Sequence, residues 1–179
     1  MSVNFRYGTA FYKNIGRSLN AYNQENISKN LTRYYDGGSP TALWAVRSRG
    51  IDPATGQEIF VKKDGTLTYT FDYKDEVEVG DSRPTLEGVW GNTFYYKGWS
   101  ASLQLRYSFG ADVFNSTLFN KVENISSRSI TTNQDRRALY NRWKKPGDKA
   151  KFKSISLTES TPMSSRFVMK ENYLSIESV

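Results

Sequence analysis

The chain has 179 residues, 37% hydrophobic and 15% aromatic, with 12 Tyr, 10 Phe and 4 Trp, enough for one domain with its own core. It contains no Cys and no His, which excludes disulfide frameworks, zinc fingers and catalytic triads built on either residue. The net charge of +7 is concentrated in 128–153, where Arg128, Arg136, Arg137, Arg142, Lys144, Lys145, Lys149, Lys151 and Lys153 face only Asp135 and Asp148.

Mean hydropathy is −0.65, and no window approaches the roughly 18 consecutive apolar residues of a transmembrane helix. Strands of a membrane barrel are half polar and escape such a scan. Met1–Phe11 lacks a basic stretch followed by an apolar one, so it does not read as a secretory leader.

In chain order, Ser2–Lys13 alternates Val3, Phe5, Tyr7, Thr9 and Phe11 against Asn4, Arg6, Gly8, Ala10 and Tyr12, which predicts a long strand. Asn14–Ser39 is polar and closes on the turn cluster Asp36-Gly37-Gly38-Ser39-Pro40, with room for a short helix over Ile27–Tyr35. Thr41–Arg49 reads as a strand. Gly50–Pro84 is a connector in which Lys63-Asp64-Gly65 joins two β-rich runs, consistent with a type I′ hairpin.

Leu86–Tyr96 and Trp99–Phe109 flank the two-residue turn Lys97-Gly98. The second of these runs alternates without a break. Trp99, Ala101, Leu103, Leu105, Tyr107 and Phe109 fall on one face, and Ser100, Ser102, Gln104, Arg106 and Ser108 on the other. Its aromatics sit at the ends and its aliphatics in the middle. Eleven tilted residues rise about 25 Å, the height of an outer-membrane barrel's apolar band; the other reading is a long strand of a soluble sandwich. The turn pairs Tyr96 with Trp99 and extends the apolar face through Phe94 and Trp90. Asn92 interrupts that face, and a bulge near Gly91 would re-aim it.

Gly110–Ser165 is longer than an ordinary loop. Within it, Asn133–Lys144 has the period of a short helix, with Asn133 as cap and Pro146-Gly147 as stop. Arg166–Val179 is strand-like. The fold class is therefore all-β, antiparallel strands with long loops on one side, one carrying a short helix, the asymmetry of a transmembrane barrel with long extracellular loops. The tight turn Lys97-Gly98 marks the periplasmic side, and 50–84 and 110–165 lie outside. Asn14–Ser39 then falls on the periplasmic side, where it is long.

Several stretches resemble the SusC/RagA-type TonB-dependent outer-membrane transporters. They are Gly50-Ile51-Asp52-Pro53-Ala54-Thr55-Gly56 with Glu58 and Phe60, Gly80-Asp81-Ser82-Arg83-Pro84, and Tyr96-Lys97-Gly98. Further on come Asn133-Gln134-Asp135-Arg136-Arg137, Arg142-Trp143-Lys144-Lys145-Pro146-Gly147-Asp148, and Ser165-Arg166-Phe167-Val168 with Glu171-Asn172. The resemblance implies import of glycans or peptides by a barrel with an internal plug, a SusD-type lid lipoprotein on its outer mouth, and energy from the TonB complex. It implies an incomplete transmembrane β-barrel: residues 1–179 are a partial C-terminal segment of that barrel, about five strands without the plug or the closing strands, and Met1 is an internal start. The location implied is the outer membrane of a Gram-negative bacterium.

No catalytic constellation, phosphate loop or metal-ligand spacing is visible, so the sequence predicts no enzyme activity, no cofactor and no metal site. The best substrate- or partner-binding candidates are Arg136, Arg137, Tyr140, Arg142 and Trp143. Flat aromatics stack on sugar faces, and Arg offers forked donors to hydroxyls or carboxylates. The plainer alternative packs Tyr140 and Trp143 onto neighbouring structure and leaves the Arg residues solvated. The lipid-facing girdle comprises Trp90, Phe94, Tyr96, Trp99, Leu103, Leu105, Tyr107 and Phe109. A second functional class is a soluble basic β-rich protein binding nucleic acid or another anion through Tyr140, Trp143 and Phe152. The resemblance weighs against it, and no nucleic-acid partner is expected. A glycan-processing enzyme is disfavoured because no acid/base pair can be assigned.

Overall fold

The computed structural model describes residues 1–27, 33–129, 131–132, 135–156 and 158–178. Its strands are β1 (Ser2–Tyr7), β2 (Ala42–Ile51), β3 (Glu58–Val61), β4 (Leu67–Thr68), β5 (Glu76–Asp81), β6 (Leu86–Tyr96), β7 (Trp99–Phe114) and β8 (Val168–Ser178). They form two four-stranded antiparallel sheets, a long one ordered β1-β6-β7-β8 and a short one ordered β4-β3-β2-β5. The all-β class expected from the sequence is therefore the observed one.

The β6–β7 hairpin sets the long sheet. Lys97 and Gly98 both take positive φ, +43° and +85°, the backbone of a type I′ turn whose twist matches that of its strands. From that turn the register runs from Tyr96↔Trp99 to Leu86↔Phe109 with no shift. No bulge occurs at Gly91, so Asn92 stays opposite Leu103 on the apolar face. The expected re-aiming does not happen, because an unbroken ladder fixes the side of every residue.

Directly paired residues share a face, so the registers extend both faces across the sheet. One face carries the rows Tyr7–Leu86–Phe109, Phe5–Gly88–Tyr107–Leu174 and Val3–Trp90–Leu105–Ile176. The other carries Arg6–Glu87–Ser108–Tyr173, Asn4–Val89–Arg106–Ser175 and Ser2–Gly91–Gln104–Ser178. On the polar face Arg6 and Glu87 pair at 3.4 Å, and Arg106 pairs with Glu177. At Gly88 the strands are held by an aromatic. Tyr107 lies over the glycine, its Cζ 2.8 Å from where a Cβ would stand, and its hydroxyl donates to Asn4 O at 3.1 Å.

The topology corrects the expected orientation. β1 rises antiparallel to β6, so the whole segment from Gly8 to Thr85 leaves and returns at the end opposite Lys97-Gly98. The connection between β7 and β8 lies at that same end. Asn14–Ser39 is thus on the side of the other excursions. The Thr41–Arg49 run forms β2, the centre of the short sheet, rather than a strand of the long one, which has four strands instead of about five. β1 ends at Tyr7 because its partner begins at Leu86; beyond it, Tyr12 pairs with Gly37 and Gly38 (2.9 Å each).

Three smaller expectations also change. The Asp64 hairpin exists, but only Gly65 has positive φ (+88°) in its turn. Lys62 O accepts from Gly65 N–H at 3.0 Å, and Lys62 N–H donates to Thr66 O at 2.9 Å: a type I turn with a glycine bulge. Asp64 stays in the turn by accepting Thr66 N–H and Oγ1 (2.8 and 2.7 Å). A helix, α1, spans Asn20–Glu25, ahead of the expected 27–35, of which 28–32 lie outside the described residues. The expected Asn133–Lys144 helix is a single tight turn over Arg136–Leu139. Asn133 lies outside the described residues, Asp135 caps the turn, and Asn141 at φ +56° ends it before Pro146.

The core sits where the short sheet meets the upper end of β7 and the start of β8. Val46, Val122, Ser164 and Phe167 are fully buried. Phe114, Phe119 and Phe167 pack edge to face or tilted, with centroids 5.1–6.0 Å apart.

Gly88→Ala should press on the Tyr107 ring and the Asn4 carbonyl. A loss of about 1–3 kcal/mol is expected, with faster amide exchange confined to β1. Gly91→Ala meets the movable Ser2 hydroxyl and, at ordinary contact distance, the Gln104 side chain, and should cost distinctly less.

Candidate functional site

The long connection between β7 and β8 carries the five candidate binding residues, and the structure separates them into two groups. Asp135 opens the turn by accepting Arg137 N–H at 2.9 Å. Its carboxylate also holds the Arg137 side chain, Nη2 to Oδ2 at 2.6 Å. That hydrogen bond, reinforced by the backbone one, brings the Asp135 carboxyl down to about 2. Arg136 lies 5.6 Å from the centroid of the Tyr140 ring, within reach of a cation–π contact. Arg136, Arg137 and Tyr140 are all exposed.

Arg142 and Trp143 turn inward. Arg142 is 6% exposed. Its guanidinium donates to the carbonyls of Ala138, Val122, Lys153 (2.9 Å) and Glu123 (3.3 Å), and it lies 5.9 Å from the Phe152 ring centroid. Five donors in a fixed fork suit this task better than an ammonium would. Arg142 therefore organises the loop from inside rather than presenting to solvent. The Trp143 indole N–H donates to Pro53 O at 2.9 Å, and its ring lies on Gly56, where a Cβ would stand 2.5 Å away. Gly147 N–H reaches the same Pro53 carbonyl at 2.8 Å.

The Asp52–Gly56 turn is itself braced. Asp52 accepts Ala54 N–H (2.9 Å), Thr55 Oγ1 (2.9 Å) and the Tyr69 hydroxyl (2.6 Å). The Tyr69 bond first, then the other two, hold its carboxyl below the usual range. Sequence reasoning left the use of this motif open; in the fold it receives Trp143.

Arg166 joins three parts of the molecule. Its guanidinium contacts Glu58 of β3 at 3.0 Å and Glu123 at 2.9 Å, and it donates to Lys151 O at 2.7 Å. Glu58 also accepts from Ser164 Oγ (2.6 Å), and Glu123 from Thr161 Oγ1 (3.2 Å). The motif Ser165-Arg166-Phe167 was visible in the sequence. Its partners were not, since Glu58 is 108 positions away.

The girdle candidates Trp90, Phe94, Tyr96, Trp99, Leu103, Leu105, Tyr107 and Phe109 all lie on the apolar face of β6 and β7. Phe94, Tyr96, Trp99 and Phe109 are exposed, as are Val3, Phe5, Tyr7, Leu174 and Ile176 around them. The short sheet does not cover this face. Among the described residues, no helix is long and apolar enough to cross a membrane and no group of three or more carboxylates could hold a metal.

No protein-family model and no curated protein matches the sequence. Solved structures do. The fold is similar to the RagAB peptide importer in its open-open state, with TM-score 0.64 and 18% identity over 79% of this chain and 16% of that one. The closed-closed state of the importer gives 0.62 and 19% over 79% and 16%. A structure of the RagAB peptide transporter gives 0.61 and 19% over 78% and 16%. The chain thus spans about a sixth of the length of these proteins, and at this identity the likeness concerns the fold.

Arg142→Ala should cost about 3–5 kcal/mol, because it leaves several buried carbonyls unpaired. Arg136→Ala should stay within about 0.5 kcal/mol; chemical denaturation of the two variants in one detergent compares them. A pH effect follows from Tyr35. Burial first, then its 2.8 Å hydrogen bond to Glu78 and that carboxylate's charge, push the phenol to about 12. A folded value raised above the unfolded one of about 10 gives stability that is full below pH 10 and lost as pH rises through 12. Tyr35→Phe should lower stability at neutral pH and abolish the further loss between about pH 10 and 12, read by denaturant unfolding followed by circular dichroism at each pH.

Proposed function

We propose that the chain is part of a SusC/RagA-type TonB-dependent transporter of the outer membrane. The long sheet contributes barrel wall, and the short sheet with the long connection contributes its extracellular surface. The single observation that carries this reading is the four-stranded face of exposed aromatic and aliphatic side chains. An exposed apolar patch of that extent marks a membrane or interaction surface, and the opposite face is polar, as a barrel interior requires. Both large excursions leave from one end and the tight turn lies at the other, which matches the loop asymmetry of outer-membrane barrels. The likeness to the RagAB structures supports the same reading.

In this proposal Trp90, Phe94, Tyr96, Trp99, Leu103, Leu105, Tyr107 and Phe109 face lipid. Arg136, Arg137 and Tyr140 meet the transported peptide or glycan, or a SusD-type lid lipoprotein. The TonB complex supplies energy to the whole transporter, and the role is transport rather than catalysis. The nucleic-acid alternative loses its stacking platform, since Phe152 is buried and Trp143 packs on the Asp52 turn.

Single cysteines at Leu103 and Ser102, labelled with a fluorophore in lipid bilayers, test the wall. Quenching by nitroxide lipids should be strong at 103 and weak at 102. Equal quenching at both, or a monodisperse monomer in plain buffer without detergent, would overturn it. In the full-length transporter, the double variant Arg136→Ala/Tyr140→Ala should reduce uptake or lid retention several-fold while assembly is kept. Unchanged uptake and retention remove these residues from the proposal.

A further inference from the structure

A cavity of about 180 Å³ opens on the short sheet away from the long connection. Its floor is Trp44 of β2 and Glu76 of β5; Arg33, Tyr35, Lys63 and Tyr73 form its walls, and Asn23 and Gln24 of α1 close one side. The floor is built by pairing: Trp44 stands opposite Glu78 and Val46 opposite Glu76, so Trp44 and Glu76 share one face of the sheet. Arg33 pairs with Glu76 at 2.6 Å with both side chains buried, 9% and 6% exposed. Tyr35 stands edge-on to Trp44, centroids 5.8 Å apart at 90°, and its hydroxyl is committed to Glu78.

One group is out of balance. The Trp44 indole N–H is buried and has no hydrogen-bond partner among the described residues. Buried donors are almost always paired, and an unpaired one costs about 1–3 kcal/mol. The rim adds a second donor, the exposed Lys63 ammonium, while the one acidic group of the lining is already neutralised by Arg33. The acidic neighbours are also engaged: Glu78 by Tyr35 and Asp75 by Lys63 N–H at 3.2 Å. The space thus sets the unpaired Trp44 N–H and the Lys63 ammonium beside aromatic walls and the amides of Asn23 and Gln24, with its one carboxylate already paired.

We infer that this cavity binds a small carboxylate-bearing group, with Trp44 N–H and Lys63 as its donors and the rings of Tyr35 and Tyr73 as its walls. The volume limits the guest to one residue or one sugar ring, below the roughly 300 Å³ of drug-sized sites. A peptide side chain or terminus and a uronic acid share the required chemistry. The site is separate from Arg136, Arg137 and Tyr140, and it stands or falls independently of the transport reading.

The test follows the Trp44 indole resonance in the ¹H–¹⁵N spectrum of the chain in detergent micelles, assigned with Trp44→Phe. The probes are N-acetylglutamate and glucuronate, each against its neutral counterpart, N-acetylglutamine and glucose. A saturable shift with either acid, absent with both neutral compounds, is the expected result, and the acid that binds identifies the source. Lys63→Ala lies on an exposed turn and should keep the spectrum but weaken binding about tenfold, the effect of losing one hydrogen bond to a charged group. Trp44→Phe, followed by calorimetry, should weaken it similarly. Equal response to acids and neutral compounds, or no response to any at millimolar concentration in a sample with dispersed indole resonances, overturns the inference. So does undiminished binding to Lys63→Ala.

Discussion

The unshifted ladder between Leu86–Tyr96 and Trp99–Phe109 is the constraint on which the long sheet depends. Side chains alternate along a strand, so one fixed pair assigns the face of every other residue in both strands. The Lys97-Gly98 turn supplies that fixed pair. β1 and β8 then join at registers that continue the same faces, and the sheet acquires one apolar and one polar side four strands wide. Asn92 shows how strict the constraint is. A polar residue remains among Trp90, Leu103 and Phe94 because relocating it would shift every pair beyond it.

Above the sheet, buried arginines take over from the ladder. Arg166 reaches Glu58 and Glu123 while Arg142 reaches the carbonyls beside Glu123. Two cations and two anions thus close one buried cluster. Buried ion pairs add little net stability compared with an apolar core, but removing one member leaves an uncompensated charge. The cluster therefore acts as a register for the cap: it accepts one arrangement of β3, the long connection and the entry to β8. Trp143 on Gly56 and Pro53 adds a second point of attachment, so the two excursions are fastened to each other as well as to the sheet.

Much of the long sheet was legible because its signal is local. Alternation in Trp99–Phe109 and a two-residue turn need no information from elsewhere in the chain, and β6 has the limits read from the sequence. β1 was read too long because alternation through Phe11 says nothing of where a partner strand starts. The place of β2 was missed for a related reason: a strand-like run does not declare which sheet it joins. The helix over 133–144 failed on competition. Asp135 and Asn141 each favour local hydrogen bonding or left-handed backbone, and Arg142 gains more inside the loop than on a helix face. The roles of Arg142, Trp143 and the Asp52 turn depend on contacts across 20 to 90 positions, beyond any spacing rule. The Trp44 cavity gave no sequence signal at all, because its walls come from five separated segments.

The two readings of the apolar face differ in what they demand of the rest of the molecule. In a soluble sandwich the face would need a second sheet packed about 10 Å above it. The short sheet is the one candidate among the described residues, and it is used elsewhere. Its contacts run through Val46 and Glu58 to Ser164 and Arg166 at the upper end of β7 and β8, where the Phe114–Phe119–Phe167 cluster closes the core. Trp99 at 82% exposure and Tyr96 at 69% lie at the far end, next to the turn. Aromatics with polar tips suit a boundary between hydrocarbon and water, whereas Leu103, Leu105, Leu174 and Ile176 between the ends suit hydrocarbon alone. A bilayer satisfies that gradient along the strands without any further element of protein structure.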